Sequence, residues 1–326
     1  MSSMIDLGNG QLQLPFGVLS GVTSMERRAN GSLKSVTLNE KNVILTHAGD
    51  LYVAHTQTPR RKHKPSVEFF ENGLTKSVSL EEQQDVLTPI GELPAELVTF
   101  YESGELHRVF PVDGQISGFW SEEEERAMNI PLTFDLGFAI FTAMLSSISF
   151  YQSGSIQSIT LYPDEVITLD TPLGVFTARH GLSLYESGSL RSFEPASPVN
   201  LQTPVGRIAA FDPLSNGVNA DTGSVLFTPD GDLMRVSTIA NRVMVQTGGG
   251  QTLWHTPTRI PHPCSDEEPW YQPLQLAFDT ETVTITDGAA HPYRTAECHF
   301  HVSAFSDGST MGCSPADCAS CSLCSH

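Results

Sequence analysis

Five of the six cysteines fall in the last 29 residues, and four of them read Cys313-x4-Cys318-x2-Cys321-x2-Cys324. A two-residue gap folds each sulfur back to the side of the one before it. Cys318, Cys321 and Cys324 can therefore converge on one centre, and thiolates select zinc, copper(I) or iron–sulfur clusters. The tripod spacing also occurs in iron–sulfur ferredoxins, but the Cys-x3-Cys-Pro element that usually completes the set is absent, so Cys313 or Cys298 would supply the fourth sulfur. Zinc prefers two Cys-x2-Cys knuckles separated by a longer loop, a geometry that four cysteines in twelve residues crowd. His299 and His301 lie on one side of a strand-like segment and could add nitrogen ligands. The expected metal set is thus Cys298, His299, His301, Cys313, Cys318, Cys321 and Cys324, holding an iron–sulfur cluster or zinc. Disulfides and a flexible tail of exchanged or modified thiols compete with this reading. The N-terminus lacks the basic region and apolar run of a signal peptide, which argues for a reducing, cytoplasmic compartment. Cys264 stands apart.

Little else in the chain has the spacing of a chemical site. It contains no Gly-x-Ser-x-Gly, no Walker loop, no Gly-x-Gly-x-x-Gly after a strand and no His-Glu-x-x-His. The basic run Arg60-Arg61-Lys62-His63-Lys64 and the acidic run Glu122 to Glu125 read first as solvated faces. With Lys+Arg at 18 and Asp+Glu at 37, the net charge of −19 disfavours general binding to nucleic acid or anionic membranes. The longest apolar stretch, Phe138 to Leu145, is far shorter than the roughly 20 residues that cross a bilayer.

The element that must carry any site is a repeat. One phrase reads Val-Thr-Phe-Tyr-Glu-Ser-Gly-Glu-Leu at 98–106, Ile-Ser-Phe-Tyr-Gln-Ser-Gly-Ser-Ile at 148–156 and Leu-Ser-Leu-Tyr-Glu-Ser-Gly-Ser-Leu at 182–190. A shorter copy ends at Gly73, with weaker ones at Gly31, Gly231 and Gly308. A second phrase, Thr-Pro-(apolar)-Gly, ends at Gly91, Gly174 and Gly206, with degenerate copies at Gly17 and Gly49. From a first-phrase Gly to the next second-phrase Gly is 18, 18, 20 and 18 residues, and the return step is 14, 13 and 14, a period of about 32. Two longer steps, Gly49 to Gly73 and Gly104 to Gly137, contain the basic and the acidic run. Residues 60–65 and 116–130 are therefore expected to leave the array as protrusions, the second containing a helix near Glu122 to Met128.

Asn-Gly and Ser-Gly between alternating apolar residues signal hairpins, because Gly tolerates φ > 0. A three-residue loop with a bulge puts Leu184 opposite Leu190 and gives the cleanest alternation. It predicts a buried stripe of Val98, Phe100, Ile148, Phe150, Leu182 and Leu184, with Ser149, Ser183 and Ser189 facing away. Thr-Pro-x-Gly is a second turn, in which Pro sets φ and Gly closes. A lone hairpin cannot bury its apolar face, whereas stacked ones can. The predicted fold is all-β: an elongated array of stacked hairpins over 1–250, a Pro-rich connector at 251–275, and a terminal β segment with the Cys-rich tail at 276–326.

The stretch Phe100-Tyr-Glu-Ser-Gly-Glu-Leu-His-Arg-Val-Phe-Pro-Val-Asp-Gly-Gln-Ile-Ser-Gly-Phe-Trp120 resembles the bacterial variant of the MORN repeat, with partial matches at 148–156 and 182–190. The resemblance covers about a third of the chain. The longer period and the Thr-Pro-x-Gly turn depart from the pattern. It implies stacked hairpins that serve as protein-binding scaffolds. The expected function is a non-enzymatic interaction scaffold with a protein partner and a metal-binding tail. The alternatives are a redox or metal-dependent enzyme that uses the tail cluster, or an interaction module with modified cysteines.

Overall fold

The computed structural model describes residues 5–14, 17–61, 64–216, 222–261 and 270–306. It is nearly all β, with one α-helix, Glu122–Met128, among the described residues. The chain forms two compact units. The first takes in the residues up to Ser197 together with Pro213–Met234; the second takes in Pro198–Asp212 and the residues from Arg235 onward.

In the first unit an antiparallel sheet follows chain order. It begins with Val22–Arg27, Leu33–Leu38, Val67–Phe69, Thr75–Thr88 and Gly91–Phe100. It continues through Leu106–Phe110, Leu145–Phe150, Ile156–Leu161, Gly174–Leu184, Leu190–Pro195 and Val225–Phe227. The first-phrase turns are the bulged loops that the alternation predicts. Gly104, Gly154 and Gly188 have φ of +100°, +90° and +86°. Their N–H groups donate to the carbonyls of Tyr101, Tyr151 and Tyr185 at 2.9, 2.9 and 2.8 Å. Phe100 pairs with Leu106, Phe150 with Ile156 and Leu184 with Leu190, each next to a register shift. A tyrosine ladder ties the repeats together. Tyr101 donates to the Phe150 carbonyl at 2.8 Å, Tyr151 to Leu184 at 2.8 Å and Tyr185 to Phe227 at 2.6 Å.

Within the first unit, the Thr-Pro-x-Gly hairpins that turn at Gly91 and Gly174 form a second layer on the apolar face of this sheet. The long pair Thr75–Thr88 and Gly91–Phe100 bends where its register jumps from Ala95/Gln84 to Leu97/Ser79. Its far half folds back, so that the Pro89 ring lies against Gly154, and the next such turn brings Pro172 against Gly231. In each tip the threonine hydroxyl closes the turn: Thr88 Oγ1 donates to the Gly91 carbonyl at 2.6 Å and Thr171 Oγ1 to Gly174 at 2.8 Å. The layers meet in an apolar core that includes Phe69, Val98, Ile148, Phe150, Leu169, Leu182 and Phe193, all buried. The Phe176 ring stacks on Phe193 at 5.9 Å.

The structure corrects several expectations. Ser149 and Ser183 lie on the sheet face opposite the core as predicted, but both are buried, whereas Ser189 is half-buried. Their hydroxyls pair across strands, Ser149 with Ser158 at 2.7 Å and Ser183 with Ser192 at 2.6 Å. Glu122, Glu123 and Glu124 are exposed as expected, but the basic and acidic runs meet through Arg60 and Glu125. Arg60 is buried and clamps Glu96 (2.8 and 2.6 Å) and Glu125 (2.6 and 2.8 Å). Glu125 also accepts from the Gly114 N–H at 2.6 Å and Trp120 Nε1 at 2.7 Å. Burial opposes charge on Arg60 and Glu125, but the hydrogen bonds between them outweigh it. Glu125 is held below the usual carboxylate range and Arg60 above its ordinary value. The expected helix is present and is set by a capping box, in which Ser121 Oγ accepts from the Glu124 N–H at 3.2 Å and Glu124 returns to the Ser121 N–H at 2.8 Å.

The span 251–275, expected as a connector, carries strands Thr252–His255, Thr258–Ile260 and Trp270–Gln272 and the start of Leu274–Phe278. All belong to the second unit. There, residues 235–238 pair with Leu274–Phe278, which continues through the hairpin of Thr282–Thr286 and Ala290–Arg294. Asn241–Thr247 lies between Thr252–His255 and Cys298–Ala304. Val199–Thr203 and Gly206–Ala210, a repeat hairpin by sequence, also belong to this unit. Proline spacing shows where strands break, but not which distant strands they join.

Candidate functional site

Of the proposed metal set, Cys313, Cys318, Cys321 and Cys324 lie outside the described residues, as does Cys264. Cys298, His299 and His301 sit on Cys298–Ala304, paired with Thr247, Gln246 and Met244. Side chains alternate along a strand. His299 and His301 therefore share an exposed face, while the half-buried, free thiol of Cys298 takes the other face with Phe300 and Val302. This strand does not bring Cys298 together with the two histidines.

A different cluster forms in the second unit. His255 ends its strand and is buried; Asp287 occupies the Asp-Gly turn after Thr282–Thr286; His291 lies on the return strand. His255 Nδ1 is 2.7 Å from Asp287 Oδ2, and His291 Nε2 is 3.2 Å from Asp287 Oδ1. The other nitrogen of His255 meets the Tyr293 hydroxyl at 2.7 Å. Burial and the nearby Asp287 and Cys298 push the Tyr293 phenol up. The sequence contains no motif for this set, since His255 lies 32 residues from Asp287. The Asp-Gly turn with a histidine four residues after the Asp was the one local signal.

In the first unit the sheet face away from the core carries a groove of about 820 Å³. Its lining includes Lys76, Tyr101, His107, Arg108 and Arg191 around Thr99 and Ser183. The repeat explains this gathering. Lys34, Lys76, His107, Gln157 and Arg191 each follow the residue that closes a first-phrase bulge. In the earlier copies a carboxylate stands nearby: Glu26 at 2.8 Å from Lys34 and Glu68 at 3.9 Å from Lys76. The pairing positions equivalent to Glu26 and Glu68 are Thr99, Ser149 and Ser183 in the later copies. The acid row thus ends at Glu68, beside Lys76, and Thr99 and Ser183 take its place in the part of the groove lined by Arg108 and Arg191. The Arg191 guanidinium lies 6.0 Å over the Tyr185 ring and that of Arg108 5.8 Å over Phe110. Burial, with the adjacent Arg108, holds the His107 imidazole below its usual value. Only Glu102 among the lining residues is acidic.

Comparison with family models, curated proteins and solved structures finds no match to this chain. No helix among the described residues is long and apolar enough to cross a membrane.

Proposed function

We propose that the protein is a non-enzymatic interaction scaffold whose hairpin sheet holds an acidic peptide segment of a partner protein. The observation that carries this reading is the switch in the repeat from paired Lys–Glu positions to cations above a Ser/Thr floor. A chain of net charge −19 that gathers Lys76, Arg108 and Arg191 around His107 in one groove opposes its own overall field there. At physiological salt that field is screened beyond about 8 Å, so contacts inside the groove dominate. Guanidinium groups bind carboxylates with charge-assisted, often bidentate hydrogen bonds, and half-buried tyrosine and phenylalanine rings add apolar contact. The MORN-like phrasing supports the same class of role. The tail cysteines Cys313, Cys318, Cys321 and Cys324 are proposed to hold zinc or an iron–sulfur cluster, on their spacing alone; metal analysis of anaerobically purified protein and of Cys321→Ser tests that part.

The groove is tested by fluorescence anisotropy with a labelled Glu/Asp-rich peptide carrying one tyrosine. Arg191→Glu should weaken binding by about tenfold or more, equivalent to about 1.4 kcal/mol. A Lys-rich peptide of equal length should not compete. Equal binding of the two peptides, or an unaltered Kd in Arg191→Glu, would refute the reading.

A further inference from the structure

We propose that His255, Asp287 and His291 form a binding site for one divalent late transition ion, zinc foremost. The site lies in the second unit and is independent of the peptide groove. One ligand atom from each residue lies within 4.8 Å of the other two. Around a tetrahedral ion with bonds of about 2.0–2.1 Å, neighbouring donors stand about 3.3 Å apart. The two histidines meet different oxygens of Asp287, so the carboxylate must turn or bind through both; the His291 Nε2–Asp287 Oδ1 pair, at 3.2 Å, has about that spacing. The His255–Asp287 pair, at 2.7 Å, needs to open by about 0.6 Å to reach it. Two imidazoles with one carboxylate suit zinc, nickel or cobalt and are poor ligands for magnesium or calcium.

The surroundings provide what a metal-binding histidine requires. Ligating imidazoles are held by a hydrogen bond to their second nitrogen. For His255 that partner is the Tyr293 hydroxyl, which can donate or accept. In the tautomer with its proton on Nδ1, His255 donates to Asp287 and its Nε2 accepts from Tyr293. With an ion, the single ring proton resides on Nε2 and donates to the Tyr293 oxygen, which frees Nδ1 to ligate. The number of ring protons is unchanged. The Asp287 backbone is anchored in turn, since Thr258 Oγ1 donates to its carbonyl at 2.9 Å. The His291 side chain is 42% exposed and that of Asp287 20%, so solvent reaches the site. Three protein ligands with one open position is the arrangement of sites that bind water or an exogenous ligand, whereas structural zinc sites are closed by four.

The test is a cobalt(II) titration of the full chain with Cys313, Cys318, Cys321 and Cys324 replaced by Ser, which removes tail thiolates as competitors. The expected result is one equivalent bound, with visible bands of a four- or five-coordinate ion, no near-ultraviolet thiolate charge-transfer band, and displacement by zinc. His255 is buried and its replacement endangers the fold, so the diagnostic variant is the part-exposed His291→Ala, which should weaken binding at least about 100-fold. Tyr293→Phe, which keeps the ring but removes the second-nitrogen partner, should weaken it about tenfold or more. Failure to bind one equivalent at about 0.1 mM metal, or binding unchanged in His291→Ala, would overturn the site and leave a structural His–Asp–His bridge.

Discussion

Replacing Arg60 by Met should cost about 3–5 kcal/mol, the range for removing one partner of a buried ion pair. The structure supports a value within this range because Arg60 answers two carboxylates, not one. Its side chain is 8% exposed, that of Glu96 1% and that of Glu125 6%. Without the guanidinium, Glu96 keeps the Asp113 N–H at 2.7 Å, and Glu125 keeps Gly114 and Trp120. Neither would retain a counter-charge in hydrogen-bond contact. Urea unfolding at neutral pH measures the loss, and Trp120 fluorescence reports on the site itself. The pH dependence provides an independent check. Glu125 is held below the usual carboxylate range in the wild type, so its contribution is present at neutral pH and fades as pH falls through that lowered value. In Arg60→Met the buried carboxylates penalise folding while charged and are relieved by protonation. The gap between variant and wild type should therefore narrow in acid. The triple variant Arg60→Met, Glu96→Gln, Glu125→Gln should recover much of the loss. A loss below about 1 kcal/mol would show that the basic segment behaves as a solvated loop and that the clamp contributes little.

Phe150→Ala should cost about 3–5 kcal/mol in the same assay, because the ring is fully buried between the layers; a loss under about 1 kcal/mol would refute the face assignment. Tyr151→Phe removes only the hydroxyl that reaches the Leu184 carbonyl and should cost about 0.5–1.5 kcal/mol, with an unchanged circular dichroism spectrum. Burial and Arg108 hold the His107 imidazole below its usual value, so an acidic peptide should raise it, and binding should tighten as the pH falls. His107→Gln should flatten that pH dependence, measured by anisotropy, and an unaltered profile would remove His107 from the groove.

The local readings were legible because their causes are local. A glycine at positive φ within Ser-Gly, flanked by period-two apolar residues, defines a bulged turn and the pairing beside it, and Phe100, Phe150 and Leu184 meet the predicted partners. The one described α-helix falls at Glu122–Met128, where the sequence placed it, and the structure adds the capping box of Ser121 and Glu124 that sets its start. Three features required the tertiary structure. The first is the fold-back of the long hairpins, set by the register jump near Glu96, which makes two layers of what reads as one array. The second is the meeting of Arg60 with Glu125, 65 residues apart, which buries one member of each of two runs that look solvated. The third is the placement of candidate chemistry. Arg108 and Arg191 come together across the sheet, and His255 reaches Asp287 and His291 from a strand paired elsewhere. Turn chemistry acts over a few residues and can be read from them. Burial and charge pairing depend on which distant strands become neighbours, and the folded packing decides that.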